Sequence, residues 1–305
     1  MKNGLKYHGA VVPMVTPFTP QGALDTAALD RLVDLLIAGG VEGIFVLGTT
    51  GEGAFVPRAV RSQLMRQTVA RANKRTKIFA GLGDIRHSDV TEANEFFYAG
   101  ADAVVAHPPI AEKIPAEQLQ GWYENLLNKL EGPLLLYNMP MTTGVSIPLD
   151  AVENLLGHPK FAGIKDSENN PARLEETMKR FGGKKDFAVF VGVGALMEKG
   201  LKLGADGIVP SVGNLIPGVC QQLCDAAQNG NWSDAENLYS RMSAVAAVYQ
   251  KGRTLNESLA ALKAAVSCRG LCAPDVLPPL LSLPKNEVEK IRSEMAALHL
   301  LNGKT

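Results

Sequence analysis

Eight short apolar runs recur along the chain, at residues 9–18, 43–48, 77–83, 101–108, 133–140, 161–167, 187–194 and 205–213. Valine, isoleucine and leucine dominate them. Their apolar residues are mostly continuous rather than alternating with polar ones, as expected for strands buried on both faces. Between them, stretches such as 25–40, 115–130 and 171–183 repeat apolar residues at helical spacing. Asp25 stands before the first as a start signal, and Gly39-Gly40 and Gly182-Gly183 close the first and third. Eight strands alternating with helices predict an α/β fold, a (β/α)8 TIM barrel. An open doubly wound sheet is the rival, but it carries a glycine-rich loop after its first strand, and here TPFTPQGALD follows instead. The glycine pairs at 81–83 and 192–194 follow strands without completing a dinucleotide fingerprint. From residue 229 the alternation stops, and 231–250, 254–270 and 285–301 read as successive helices. The expected organisation is a barrel over 1–228 carrying the active site, with 229–305 as a C-terminal helical extension packed on it.

Composition narrows the function classes. Of 305 residues 20% are charged, with 31 basic against 31 acidic. That balance offers no electrostatic case for nucleic acid or an anionic membrane. No apolar run has the length of a membrane span, and the first residues contain no signal-peptide core, so a cytoplasmic location is expected. The four cysteines are Cys220, Cys224, Cys268 and Cys272. Each pair has i, i+4 spacing with no histidine nearby, which reads as small apolar side chains on helices and not as a zinc site; no metal is expected.

In a barrel of this kind the chemistry lies at the C-terminal ends of the strands. There the sixth run places Lys165, within FAGIKDS, and the fifth places Tyr137. The second ends in GTTGE, with Thr49 and Thr50, and the eighth ends at Val209, Pro210 and Ser211. An amine near a barrel centre is partly desolvated, which favours the neutral form that attacks a carbonyl. A phenol can pass a proton to and from the carbinolamine. Adjacent threonines after a glycine offer hydroxyl and N–H donors to a carboxylate. Together these groups describe Schiff-base chemistry on a 2-oxo acid.

GTTGE at 48–52, YNMP at 137–140 and GIKD at 163–166 resemble the dihydrodipicolinate synthase / N-acetylneuraminate lyase superfamily of class I pyruvate-dependent aldolases. The likeness runs over nearly the whole chain. The resemblance implies that Lys165 forms an imine with pyruvate or a longer 2-oxo acid and that Tyr137 is the acid/base. It implies that Thr49 and Thr50 hold the carboxylate, with Thr50 also touching the tyrosine, and that the Val209 backbone lines the pyruvate pocket. It implies no metal and no organic cofactor, only the covalent imine on Lys165, and a homotetramer built as a dimer of dimers.

Two positions depart from the synthase branch. Its arginine two residues after the proline of YN-x-P is Thr142 here, which cannot make a bidentate carboxylate contact. Its tyrosine pair after the fourth strand is represented by Ile110 and Ala111. The acidic residues that sugar-acid lyases place after the seventh strand are likewise missing from VGVGALME. Thr142, Thr143, Ser167 and Ser211 remain near the mouth to hold a hydroxylated chain. The leading expectation is a lyase that cleaves or forms a 4-hydroxy-2-oxo acid of the 2-keto-3-deoxy sugar acid type, with pyruvate and an aldehyde as partners. The alternatives are 4-hydroxy-tetrahydrodipicolinate synthesis from pyruvate and aspartate semialdehyde, a 4-hydroxy-2-oxoglutarate aldolase, and a non-enzymatic 2-oxo acid binding protein.

Overall fold

The computed structural model describes residues 7–82, 90–110 and 113–301; Gly83 and Ala111, both singled out above, lie outside them. Strands β1 (Gly9–Pro13), β2 (Gly43–Val46), β3 (Lys77–Leu82), β4 (Ala103–Ala106), β5 (Leu134–Asn138), β6 (Phe161–Asp166), β7 (Ala188–Val191) and β8 (Gly207–Ile208) run parallel. They close into a barrel in sequence order. Each of the eight expected strands is present, though β8 is short because Ser211–Asn214 winds into a 3-10 turn.

The helices of the barrel are α1 (Thr26–Ala38), α2 (Arg58–Ala72), α3 (Thr91–Ala99), α4 (Leu119–Lys129), α5 (Pro140–Thr143), α6 (Leu149–Leu155), α7 (Pro171–Phe181), α8 (Met197–Lys202) and α9 (Pro217–Gln228). Local chemistry starts them as the sequence suggests. The Asp25 carboxylate accepts from the Ala28 N–H at 2.9 Å, and Asn170 does the same for Ala172 and Arg173 ahead of Pro171. After α9 the chain is helical without further strands among the described residues: α10 (Trp232–Gln250), α11 (Leu255–Cys268) and α12 (Lys285–Ala297).

The continuous apolar runs are explained by two cores, one on each side of every strand. Val11, Phe45, Phe79, Val105, Leu135, Tyr137, Phe190 and Val209 point into the barrel. Val12, Ile44, Ile78, Val104, Leu136, Ile164, Val189 and Ile208 point out against the helices. Both sets are apolar, so the period of two is hidden in the sequence and appears only in the fold. The cysteines behave as small hydrophobes: Cys220 and Cys224 are buried on α9, and burial pushes the Cys272 thiol up to about 12. Cys272 lies beyond the end of α11, so the helical spacing read for its pair does not hold there.

A buried ion pair ties the tail to the barrel. The Lys263 ammonium, on α11, meets Glu52 of the GTTGE loop, and both side chains are almost completely buried. The Leu277 N–H donates to the second Glu52 oxygen at 2.7 Å, and the ammonium lies 4.5 Å from the Phe18 ring centroid. Desolvation lowers the Lys263 pKa, and Glu52 pulls it back up. Removing one partner of such a pair leaves a buried charge uncompensated. Lys263→Met should therefore cost about 3–5 kcal/mol in chemical denaturation. The double change Lys263→Met with Glu52→Gln should cost less than the single one, because it removes both charges and keeps an acceptor for Leu277; equal or greater loss would show the pair to be unimportant.

Candidate active site

The site is built on the register of two neighbouring strands. Tyr137 of β5 lies opposite Lys165 of β6, and Asn138 lies opposite Asp166. Successive strand residues face opposite ways, so the first pair enters the barrel and the second turns toward the helix layer. Inside, the Lys165 ammonium nitrogen is 3.7 Å from the Tyr137 ring centroid and 5.0 Å from that of Phe45. Only 6% of Lys165 is exposed.

Outside, the Asn138 amide donates to Asp166 at 3.1 Å and to Glu168 at 3.0 Å, and its carbonyl accepts from the Ile147 N–H at 3.0 Å. Arg173 of α7 closes on Asp166 at 2.7 Å, and the Ser146 hydroxyl donates to Glu168 at 2.6 Å. Desolvation works to raise the Glu168 pKa, but the Ser146 and Asn138 hydrogen bonds and the Arg173 charge hold it below the usual value. This network clamps the two strand ends that carry the lysine and the tyrosine.

Tyr137 carries opposing influences. Burial alone would raise its pKa, but the Lys165 charge and hydrogen bonds with Thr49, Lys165 and Ser167 bring it below the ordinary phenol value. The Thr49 hydroxyl is 3.3 Å from the phenol oxygen. The contact with the tyrosine that was expected of Thr50 thus belongs to Thr49. The turn that follows is closed by the N–H groups of Gly51, Glu52 and Gly53, bonded to the carbonyls of Gly48, Thr49 and Gly48. Those of Thr49 and Thr50 take no part in closing it. Leu47 and Glu52, at φ 60 and 59, hold left-handed backbone at either end of the segment. Gly53 is required there, since a Cβ on it would fall 1.9 Å from the Leu47 carbonyl oxygen.

Thr49, Thr50, Tyr137, Lys165, Ser167, Val209 and Ser211 meet in one cavity of about 670 Å³ at the C-terminal end of the barrel. The Val209 N–H is bonded to the Val191 carbonyl, so its position is set by β7. The Ser211 hydroxyl is engaged by Tyr249 of α10 at 2.7 Å. Thr142 does not line this cavity. It sits in the short helix α5, donates to the Met139 carbonyl at 3.1 Å, and borders an adjoining cavity of about 150 Å³ that Thr49, Tyr137, His107 and Ile110 also line. Thr143 is likewise bonded to the backbone of its own turn. The other wall of the large cavity comes from α10 and the start of α11: Tyr239, Met242, Ser243, Gln250, Lys251 and Ser258. Sequence reading missed these, because nothing in an amphipathic helix says which barrel face it will cover. Among the described residues no cluster of three His, Cys, Asp or Glu side chains is placed to hold a metal ion, and no helix is long and apolar enough to cross a membrane.

Two outcomes are expected from this geometry. Thr49→Val removes one of the groups that hold the Tyr137 phenol down, so the tyrosine limb of a pH–rate profile should move to higher pH; an unmoved limb would exclude that hydrogen bond. At Gly192 an added Cβ would lie 2.0 Å from the Ser167 hydroxyl oxygen and 3.1 Å from the Lys165 ε-carbon. Gly192→Ala should displace both and lower kcat by about 10- to 100-fold, with circular dichroism unchanged.

The model of the Dihydrodipicolinate synthetase family matches residues 6–298. Among curated proteins, 4-hydroxy-tetrahydrodipicolinate synthase of Herminiimonas arsenicoxydans is 33% identical over 77% of this chain and 80% of its own. That of Thiobacillus denitrificans is 30% identical over 96% of this chain and 97% of its own. Among solved structures, dihydrodipicolinate synthase from Bacteroides thetaiotaomicron superposes with a TM-score of 0.89 at 31% identity, covering 96% of this chain and 99% of that one. YagE, a prophage protein of the dihydrodipicolinic acid synthase family from E. coli K12 solved in complex with pyruvate, gives 0.89 at 26% identity, covering 97% and 99%.

Proposed function

The chain belongs to the dihydrodipicolinate synthetase family, a family of pyruvate-dependent class I carbon–carbon lyases, and from that premise we propose that Lys165 forms an imine with pyruvate which then joins to, or is released from, an aldehyde. Membership sets aside the non-enzymatic alternative. The observation that carries the proposal is the buried Lys165 ammonium against the Tyr137 ring, at the floor of a cavity that also holds Thr49 and Thr50.

The steps follow from these groups. The neutral Lys165 amine adds to the pyruvate carbonyl, and the carbinolamine loses water to give the imine. Tyr137, linked to the Thr49 hydroxyl, supplies and removes the protons of that exchange. The Thr49 and Thr50 N–H groups and hydroxyls receive the carboxylate. Val209 and Ser167 bound the three-carbon unit. In the condensing direction the protonated imine loses a C3 proton to the Tyr137 oxygen and becomes an enamine, whose C3 attacks the aldehyde carbon while the aldehyde oxygen takes that proton from Tyr137 and the protonated imine is restored. In the cleaving direction Tyr137 takes the proton of the C4 hydroxyl, the C3–C4 bond breaks, and its electrons pass to the protonated imine. The barrel of 1–228 does the chemistry in this reading, and the helices of 229–305 wall the acceptor side. A homotetramer is part of the same proposal.

For the acceptor, the names of the relatives support the synthase reading over the sugar-acid reading, so we put aspartate semialdehyde first. The 2-keto-3-deoxy sugar acid reading keeps two observations in its favour. The arginine of the synthase branch is Thr142 here, bonded to its own helix backbone, and Ser243 and Ser258 line the acceptor side with hydroxyls.

Reduction with borohydride in the presence of pyruvate should leave a stable adduct on Lys165, located by peptide mass spectrometry. Lys165→Ala should show neither adduct nor turnover, and an adduct on another lysine would sink the mechanism. Consumption of aspartate semialdehyde with pyruvate, set beside pyruvate release from 2-keto-3-deoxygluconate, separates the two acceptors.

A further inference from the structure

A three-carbon acid fills only a small part of the 670 Å³ cavity. The remainder reaches up to α10 and α11, and its charge is one-sided. Among the described residues that line it, Lys165 and Lys251 are the cations, and no aspartate, glutamate or arginine accompanies them. Lys165 is taken by the imine. Lys251 follows directly on the last residue of α10, where its N–H donates to the Ala247 carbonyl at 3.1 Å and anchors the backbone from which the side chain extends. Its neighbour Arg253 is neutralised by Glu287 at 3.1 Å. Lys251 has no carboxylate partner among the described residues. Gln250 and Ser258 stand beside it in the lining, as neutral donors.

We propose that Lys251 receives an anionic group at the far end of the acceptor, so that the enzyme prefers aldehydes bearing a carboxylate or a phosphate beyond the reacting carbon. This rests on the imine reading above and assigns the second half of the same site. With Lys165 taken by the imine, Lys251 is the cation left among the described lining residues, and no acid opposes it, which favours an acceptor that carries a negative charge of its own. The first charge, the carboxylate of the oxo acid, is met at the GTTGE turn. The second needs a cation that β5 does not supply, because position 142 is a threonine bonded to its own helix. Lys251 supplies it from the opposite wall. An ammonium on a flexible stem accepts either a carboxylate or a phosphate as a point charge, without the planar fork that an arginine would impose.

A matched pair of acceptors tests the assignment: glyceraldehyde and glyceraldehyde 3-phosphate, with aspartate semialdehyde as the carboxylate counterpart. The intact protein is compared with Lys251→Gln and Lys251→Glu. The ratio of kcat/KM for a charged acceptor over glyceraldehyde should fall about tenfold in Lys251→Gln, chiefly through KM, and further in Lys251→Glu. If only one charged acceptor responds, the distal group is identified as carboxylate or phosphate. A ratio that stays the same in both variants would overturn the assignment to Lys251 while the adduct on Lys165 stands. Absence of that adduct in the unmodified protein would overturn the imine reading, and this assignment with it.

Discussion

The site depends first on the register between β5 and β6. One hydrogen-bonded pairing sets Tyr137 against Lys165 on the inner face and Asn138 against Asp166 on the outer face. A slip of one residue would turn the lysine and tyrosine into the helix layer and put the amide and carboxylate in the barrel. The outer pair therefore protects the inner one. Asn138 is fully buried and bonded to Asp166, Glu168 and Ile147, and the network reaches across to Arg173 on α7. An unmade bond in that layer would leave buried polar groups without partners, which makes the wrong register costly.

The GTTGE turn is held from the other side. Gly53, just past it, lets the chain approach Leu47 closely, and the turn's glutamate is bound by a lysine that lies in the C-terminal helices. The turn that carries Thr49 and Thr50 is thus fixed by a segment outside the barrel. The same helices supply the wall of the cavity facing Lys165. The tail both supports and bounds the site.

The contrast between floor and wall explains why kinship and lining point to different acceptors. The floor holds Lys165, Tyr137, Thr49 and Thr50, to which the proposed imine chemistry is assigned. The wall, from α5, α10 and α11, is the side proposed to meet the second substrate. A cation from α10 in place of one after β5 would preserve the sign of the charge met by the acceptor while changing its direction of approach.

The barrel was legible because strands buried on both faces must be apolar throughout, and eight such runs separated by helical periods have few other solutions. Lys165 and Tyr137 were legible because polar groups at the ends of such runs stand out. Thr49 and Thr50 were found together, but which hydroxyl meets the phenol depends on the path of a turn with left-handed residues at Leu47 and Glu52. Thr142 was placed at the mouth by its position in the chain; in the fold the short helix α5 bonds it to its own backbone and sets it on a smaller cavity that shares Thr49 and Tyr137 with the large one. Lys263 and Lys251 carried no signal at all. Lys263 lies within α11 and Lys251 just past the end of α10, helices whose pattern says only that one face is buried, and the partner of Lys263 is 211 residues away. The sequence by itself determined the strands, the helices and the candidate reacting groups, because these follow from local periodicity and from which residue types chemistry needs. Only the tertiary structure decided which side chains face one another across the cavity, because that is set by how the C-terminal helices dock on the closed barrel.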